Sequence, residues 1–419
     1  MIERRAETRR VERPVGPGRR VPQRAFGLSS GHVPTPSPRE RSVSSTWSCK
    51  SLCSWRKLVM AKSLVSVEVV DRLDVAYREW DQLATATSAP PFVFPGWIGA
   101  WQRCFGNGRL LLFVARRGPE LVGVMPLVLR RRALRSPTNP HSPLFDLVAR
   151  DEQAARALAQ TVLSASVRRV DLRLLDGSSL GLEALRSVAS HSRHRQIVRL
   201  ETRAPFIRCS PNLAAHRASL SRNLRHDTDR RLRRLAEAGA VSIQVATGGE
   251  HLDSLLREAF TVEELGWKGI RGSAIASQVD VRNFYREIAR WATERGWLRL
   301  AFLRLDGRAI AMQFDLEVGR TYYSLKIGYD PAYEHFAPGK LLAYAMVARA
   351  VATGAETYEL LGKDEEWKYR FTDTFRERVA FAAFPRSPGG LLSWSASTYG
   401  LPIARRIPLA ARVRDVVRR

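Results

Sequence analysis

Residues 321–371 read TYYSLKIGYDPAYEHFAPGKLLAYAMVARAVATGAETYELLGKDEEWKYRF. The alternation over 322–329 predicts a strand, and a turn-rich loop follows it. Pro338 sits where a helix begins, since a proline at the first helical position loses no hydrogen bond. Residues 341–353 are apolar almost all round, as in a buried helix, and Gly354 is placed to cap it. A second strand is expected over 357–361. A strand, loop, buried helix and strand put the helix N-terminus at the carboxyl end of a sheet. There the unpaired N–H groups of Gly339, Lys340 and Leu341, behind Pro338, can receive an anion such as a pyrophosphate. A plain helix-to-strand connection would use the same proline and glycine.

Working outward, the pattern is mixed α/β and runs through the same plan twice. Upstream lie a basic helix over 217–238 ending at Gly239, read as a left-handed cap, the strand VSIQVA (241–246), helices over 252–265 and 281–295, and the hairpin WLRLAFLRLDG (297–307) with RAIAMQFDLEVG (308–319). The earlier half offers a strand over 65–73, helices over 74–87 and 97–105, and the hairpin LLLFVARRG (110–118) with LVGVMPLVLRR (121–131). LFDLVA (144–149), a helix over 152–166 and VDLRLLD (170–176) continue it. Phe113 with Gly118 and Phe302 with Gly307 recur at the same spacing, 189 residues apart. Together with the order of the flanking elements, this predicts a tandem duplication, one domain over 61–205 and a second over 206–388.

The chain has 419 residues, 45% of them hydrophobic, which excludes wholesale disorder. Its formal net charge of +27 invites a nucleic-acid or membrane reading. Residues 1–60 and 401–419 carry 14 of those charges, however, so the middle is far less extreme. Residues 1–60 mix Pro, Arg and Ser without a period and are expected to form a tail; a translation start at Met60 is an equally good account. The basic segment 389–419 mixes Leu, Ile, Val and Arg as interfacial helices do, which suits peripheral contact at the inner face of a membrane, although Pro402 and Pro408 break it into short pieces. No apolar run approaches the ~20 residues that cross a bilayer. Cys49, Cys53, Cys104 and Cys209 give neither a zinc site nor a disulfide framework. His141, His226, His251 and His335 are dispersed, so no metal is expected.

GYDPAYEHFAPGKLL (328–342), followed by YELLGKDEEWKYRF (358–371), resembles the signature of the CelD/BcsL-type acetyltransferases of cellulose and exopolysaccharide biosynthesis. SRNLRHDTDRRLRRLAEAG (221–239) and NPHSPLFDLV (139–148) resemble further stretches of that family. The resemblance implies two tandem GNAT-like domains, similar in plan to the FemX aminoacyl-ligases, with acetyl-CoA or another acyl-CoA as co-substrate. It also implies a catalytic role for Lys368, which falls on the family's lysine, in stabilising the reacting acyl group or the acceptor phosphate. Two departures stand out. The usual Gln/Arg-x-x-Gly-x-Gly/Ala loop is replaced by Phe336-Ala337-Pro338-Gly339-Lys340, and the family's Gly-Asp-x-x-Tyr-Lys is one residue longer here, with Trp367 for its tyrosine.

Acyl transfer to an amine or hydroxyl needs a base, an oxyanion donor and an acid for the departing thiolate. No Ser-His-Asp or Cys-His arrangement is evident, so direct transfer in a ternary complex is expected. Asp315 on a central strand and Glu365 just beyond a strand end are the candidate bases, either of which could equally be an ordinary paired carboxylate. Tyr329, Asp330 and Trp367 are candidate substrate contacts, with a strand-ending turn as the first reading of Tyr329-Asp330-Pro331. Arg222 and Arg225 are candidates for acceptor phosphates, unless the helix is a solvated face held by pairs such as Asp227 with Arg231. These readings predict a cytoplasmic acyltransferase acting on a small or lipid-linked sugar or other cell-envelope precursor. The alternatives are aminoacyl transfer from charged tRNA, or a non-catalytic protein that binds polyanions or membrane surfaces through arginine.

Overall fold

The computed structural model describes residues 65–400 apart from 193, 267–274, 276–277 and 363. The tail expected at 1–60, Met60, and residues 401–419 lie outside the described residues. The succession of strand, two helices and a run of strands, then helix and strand, occurs twice. In the first half these are β1 (Val65–Val70), α1 (Tyr77–Ala86), α2 (Pro95–Phe105), β2 (Arg109–Arg117), β3 (Glu120–Arg130), β4 (Ala133–Arg135), a two-residue β5 (Val148–Ala149), α3 (Glu152–Ser164) and β6 (Arg169–Asp176). Then α4 (Leu180–His191) and the long β7 (Arg195–Arg208) lead across. The second half holds α5 (Leu213–Ser219), α6 (Arg222–Ala238), β8 (Val241–Ala246), α7 (Leu252–Leu265), α8 (Val279–Glu294), β9 (Leu298–Leu305), β10 (Arg308–Val318), β11 (Thr321–Tyr329), α9 (Pro338–Ala352) and β12 (Thr357–Glu359). The chain closes with β13 (Phe375–Phe384) and α10 (Pro388–Ser395).

The strands form one mixed sheet in the order β1-β2-β3-β4-β6-β13-β7-β12-β11-β10-β9-β8, with β5 beside β3. The two halves run inward from opposite edges, each with one parallel pair, β4 with β6 and β11 with β12. The matched hairpins turn at Gly118 (φ +60) and Gly307 (φ +81), a backbone region that a Cβ disfavours. The expected boundary at 205/206 falls within β7, whose strand runs on to Arg208. β13, from the end of the chain, lies between β6 and β7, while the last three residues of β7 pair with β12.

Helix α9 packs Leu342, Met346, Val347 and Ala350 on one face of the second half, against Tyr322 and Tyr358. The opposite face carries Phe302, Met312 and Phe314 beneath Leu256 and Phe260 of α7 and Phe284 and Ile288 of α8, and this core runs on into the first half. There Trp97 of α2 meets Phe284 edge-on, with ring centroids 5.3 Å apart. Where the halves meet, Arg378 of β13 is 2% exposed and pairs with Asp176 of β6, and its other guanidinium nitrogen lies 3.9 Å from Glu359 of β12. Removing one member of such a buried group leaves an uncompensated charge, at a typical cost of about 3–5 kcal/mol.

Four local expectations are revised. The basic helix is broken: α5 ends at Ser219, and Ser221 caps a new helix, its Oγ accepting from the Leu224 N–H at 3.2 Å. Gly239 is extended (φ 161), not left-handed; a Cβ there would lie 2.3 Å from Asp306 Oδ2, and Asp306 Oδ1 accepts from the N–H of Ala240. In 144–149 only the last two residues are strand, and α10 occupies the start of the segment expected to be a tail.

Beneath α9 lies a polar cluster in the sheet. Asp315 of β10 is fully buried; the Tyr358 hydroxyl donates to it at 2.5 Å and Gln313 Nε2 lies 3.0 Å from both its oxygens. Burial pushes its carboxyl up to about 7. An unfolded aspartate titrates near 3.9, so the folded chain keeps this proton as pH rises from about 4 to about 7, and stability falls across that window. A full shift of this size is of the order of 4 kcal/mol. Asp315→Asn removes the titration, and chemical denaturation of the variant should show a shallower loss of stability between pH 5 and pH 8 than the wild type. Equal slopes would mean that the carboxyl is ionised throughout.

Candidate active site

β11 and β12 pair for three residues, Thr321–Tyr323 with Thr357–Glu359, and then part. β12 ends while β11 continues to Tyr329, passing a bulge at which Phe314 faces Lys326 and Asp315 faces Ser324. The parting opens at the carboxyl end of the strands, the place where ligands lodge in α/β sheets. A cavity of about 250 Å³ lies there. Ile327, Gly328 and Tyr329 from the end of β11 form one wall, and Gly339 with Lys340 from the start of α9 form another. Glu263 and Gly266 from the end of α7, and Glu365 with Trp367 from the loop after β12, complete it. Five residues singled out in the sequence, Tyr329, Gly339, Lys340, Glu365 and Trp367, thus share one cavity.

The start of α9 explains its anion character. Ala337 precedes it in the left-handed region (φ 52), no side chain caps it, and no acidic residue stands in its first turn. Pro338 and Gly339 are buried and fix the entry. Of the three N–H groups expected to face an anion, those of Lys340 and Leu341 bond back to the Ala337 carbonyl at 3.0 and 3.2 Å, and Leu341 packs into the core. Gly339 keeps the cavity open, since a Cβ there would lie 3.2 Å from Tyr329 Cδ1. Partial burial, and then the charges of Arg370 and Arg231, lower the pKa of the Lys340 ammonium. Three cations, Lys340, Arg370 and Arg231, thus stand near a positive helix end, with Asp227 and Glu366 offsetting part of their charge. The corresponding helix of the first half is built the opposite way. Asp151 caps α3, its Oδ1 accepting from Ala154 N–H at 2.9 Å, and Glu152 follows, so the protein's own carboxylates occupy that end.

In the loop after β12, Lys368 is 4% exposed, and its Nζ donates to the Leu361 carbonyl at 2.7 Å and pairs with Glu365 at 3.0 Å. It does not line the cavity; it ties the loop to the strand end and holds Glu365. Trp367 Nε1 donates to the same carboxylate at 3.1 Å. Glu365 thus enters the cavity wall with two partners that fix its direction.

Apart from Tyr329, which lines the cavity, the remaining expected residues lie elsewhere. Asp315 is enclosed in the polar cluster beneath α9. Asp330 accepts from Ala332 N–H at 3.0 Å and pairs with Arg308 at 2.7 Å, which makes it the cap of the 3₁₀ turn over Pro331–Phe336. Tyr329 has its phenol pKa raised by burial and by Glu334. Arg222 and Arg225 lie at the start of α6, Arg222 exposed and Arg225 half-buried. Glu263 was not singled out from the sequence. It is 1% exposed, its Oε2 accepts from the Ile275 N–H at 2.7 Å, and Lys326 lies 3.9 Å away. The signal was present: Leu252, Leu256, Ala259, Phe260 and Glu263 share the buried face of α7, so a glutamate occupies an apolar position.

The thiols of Cys104 and Cys209 are free, and burial pushes each up to about 11, so neither is an activated nucleophile near neutral pH. Among the described residues no group of His, Cys, Asp or Glu is arranged to hold a metal ion, and no helix is long and apolar enough to cross a membrane.

Residues 222–369 match the family model described as an acetyltransferase (GNAT) domain, a span that contains the whole cavity. No curated protein matches the chain. Among solved structures, FemX is similar over 78% of this chain and 99% of its own, at 12% identity and a TM-score of 0.55. A conserved protein of unknown function from Bacteroides thetaiotaomicron is similar over 76% and 100%, at 11% identity and a TM-score of 0.51. The C-terminal domain of a chain assigned as a lysylphosphatidylglycerol synthetase from Agrobacterium fabrum is similar over 78% and 96%, at 12% identity and a TM-score of 0.50. At such identities the likeness is one of fold. Residues 222–369 are thus similar to a GNAT acetyltransferase domain, and they lie within a mixed α/β architecture similar in fold to that of FemX.

Proposed function

We propose that the protein transfers an acyl group, acetyl in the simplest case, from acyl-CoA to an amine or hydroxyl of a polysaccharide or cell-envelope precursor in the cytoplasm. The observation that carries this reading is the cavity at the parting of β11 and β12, closed by a helix end that no side chain caps. These residues fit a phosphate-bearing donor: the N–H of Gly339 and the charges of Lys340, Arg231 and Arg370 would hold its diphosphate. The donor supplies an activated thioester. Glu365, held by Lys368 and Trp367, takes the proton from the attacking nitrogen or oxygen. Tyr329, whose raised pKa keeps its hydroxyl protonated, gives a proton to the departing thiolate. Asp315 is assigned to the strand framework, because Tyr358, Gln313 and Ser324 surround its carboxyl. The resemblance of 328–342 and 358–371 to exopolysaccharide acetyltransferases supports the acceptor class.

A second reading, transfer from or onto a polyanion such as charged tRNA, is favoured by α6. Arg230 and Arg231 pair with Asp227, and Arg217 pairs with Asp229, whereas Arg222, Arg225, Arg233 and Arg234 have no ion pair among the described residues. Arg222→Ala with Arg225→Ala should weaken acceptor binding more at low salt than at high salt and leave acyl-CoA binding unchanged. Equal weakening of both ligands would assign the helix to the fold instead.

The donor reading is tested on three proteins. Acyl-CoA should raise the melting temperature of the wild type by mass action. Gly339→Val, which forces a branched side chain against Tyr329, should abolish that rise and increase KM for acyl-CoA about tenfold or more with kcat nearly unchanged. Glu365→Gln should bind acyl-CoA normally yet lose about 10²–10³ in kcat, read as free thiol release. Absence of any thermal shift with acyl-CoA refutes the donor site, and full turnover by Glu365→Gln refutes the base.

A further inference from the structure

At the far end of β11, three arginines from distant parts of the chain converge. We propose that Arg208, Arg320 and Arg376 form a second anion site, independent of the donor cavity, that takes a phosphate or diphosphate group. Arg208 ends β7, Arg320 lies in the β10–β11 turn and Arg376 belongs to β13, and all three line a cavity of about 460 Å³. Gly354, just past the end of α9, lines the same cavity, whereas Gly339 at the start of α9 lines the donor cavity. The two sites are therefore about 20 Å apart, by the rise of the helix.

The charges there do not cancel. Arg320 pairs with Glu356 at 2.6 Å, and Arg376 Nε donates to the buried Glu359 at 2.7 Å. Arg208 has no carboxylate within ion-pair distance among the described residues, and its guanidinium lies 5.9 Å from the Phe206 ring, which Arg376 also approaches at 4.4 Å. Gathering like charges opposes folding, so a cluster left with an excess cation suits a site completed by an anion. The planar fork of a guanidinium matches pairs of phosphate oxygens, and several forks around one cavity suit a group with oxygens on several sides. The hydroxyls of Ser210 and Thr357 line the same space and add neutral donors.

Pyrophosphate is the probe, titrated calorimetrically into the full-length wild type, Arg208→Glu, Arg320→Ala and Gly339→Val. The expected result is that binding survives in Gly339→Val and weakens at least tenfold in both arginine variants, while thermal acyl-CoA shifts remain in Arg208→Glu. Binding should also weaken as salt rises. Arg208 is exposed, so Arg208→Glu should melt as the wild type does without ligand. Failure of pyrophosphate to bind the wild type, loss of all binding in Gly339→Val alone, or wild-type affinity in Arg208→Glu each overturns the site. The donor reading is decided separately, by whether acyl-CoA shifts the melting of the wild type, a measurement that does not depend on Arg208 or Arg320.

Discussion

A parallel pair of strands joined by a helix cannot place that helix anywhere but across one face, with its N-terminus at the carboxyl end of the pair. Here the pair lasts only from Thr321 opposite Thr357 to Tyr323 opposite Glu359. Everything functional about the second half depends on that brevity. Had β12 run on beside β11, the strands would have closed over the space beneath Gly339. Because it stops, the wall is completed instead by side chains from α7 and from the 362–371 loop, and a cavity remains. The loop must then be held without a strand ladder, which is what the Lys368 bonds to Leu361 and Glu365 do.

The two halves share a succession of elements but not a charge pattern at the equivalent helix. In α3 the orphan N–H groups are met by Asp151, a capping carboxylate that both bonds them and opposes the helix dipole. In α9 the position is Ala337 in a left-handed turn, no carboxylate caps it, and Lys340, Arg370 and Arg231 stand nearby alongside Asp227 and Glu366. An anion approaching α3 would meet negative charge already in place; one approaching α9 would replace nothing. The repeated succession of elements therefore supplies two frameworks, and residues at the helix start distinguish them toward a phosphate.

Much of this was legible in the sequence, because it rests on local rules. Pro338 and Gly354 bracket α9 as caps must, and Gly118 and Gly307 mark turns that need a positive φ. The period of the apolar residues placed α7 at its observed bounds. What the sequence withheld depends on contacts across long separations. β13 reads as an ordinary strand, and nothing local says that it will insert between β6 and β7 rather than finish the second half. Gly239 looks like a helix cap, yet it is needed because Asp306 approaches its backbone from the following hairpin. Lys368 looks like a surface cation beside a tryptophan, but the ending of β12 leaves a carbonyl that draws it inside. Glu263 was the one departure that a stricter reading of period would have caught, since a carboxylate on the apolar face of a helix requires partners or a site.

The arginine excess, finally, is better understood as a question of pairing than of total charge. Within the fold about half of the described arginines meet a carboxylate, among them Arg378 with Asp176, Arg376 with Glu359, Arg304 with Glu258 and Arg295 with Asp81. Such pairs join strands and helices and contribute little to the field felt by a distant ligand. Three places gather cations near a candidate ligand: the start of α9 with Lys340 and Arg370, α6 with Arg222, Arg225, Arg233 and Arg234, and the cavity at the end of β7 with Arg208. Exposed cations spaced along a helix attract polyanions loosely, and less so as ionic strength rises. Cations that converge on a concave wall act at short range and impose geometry. The first kind suits an extended acceptor, the second a defined phosphate group, and the fold separates them by placing one on a helix surface and the others at sheet ends.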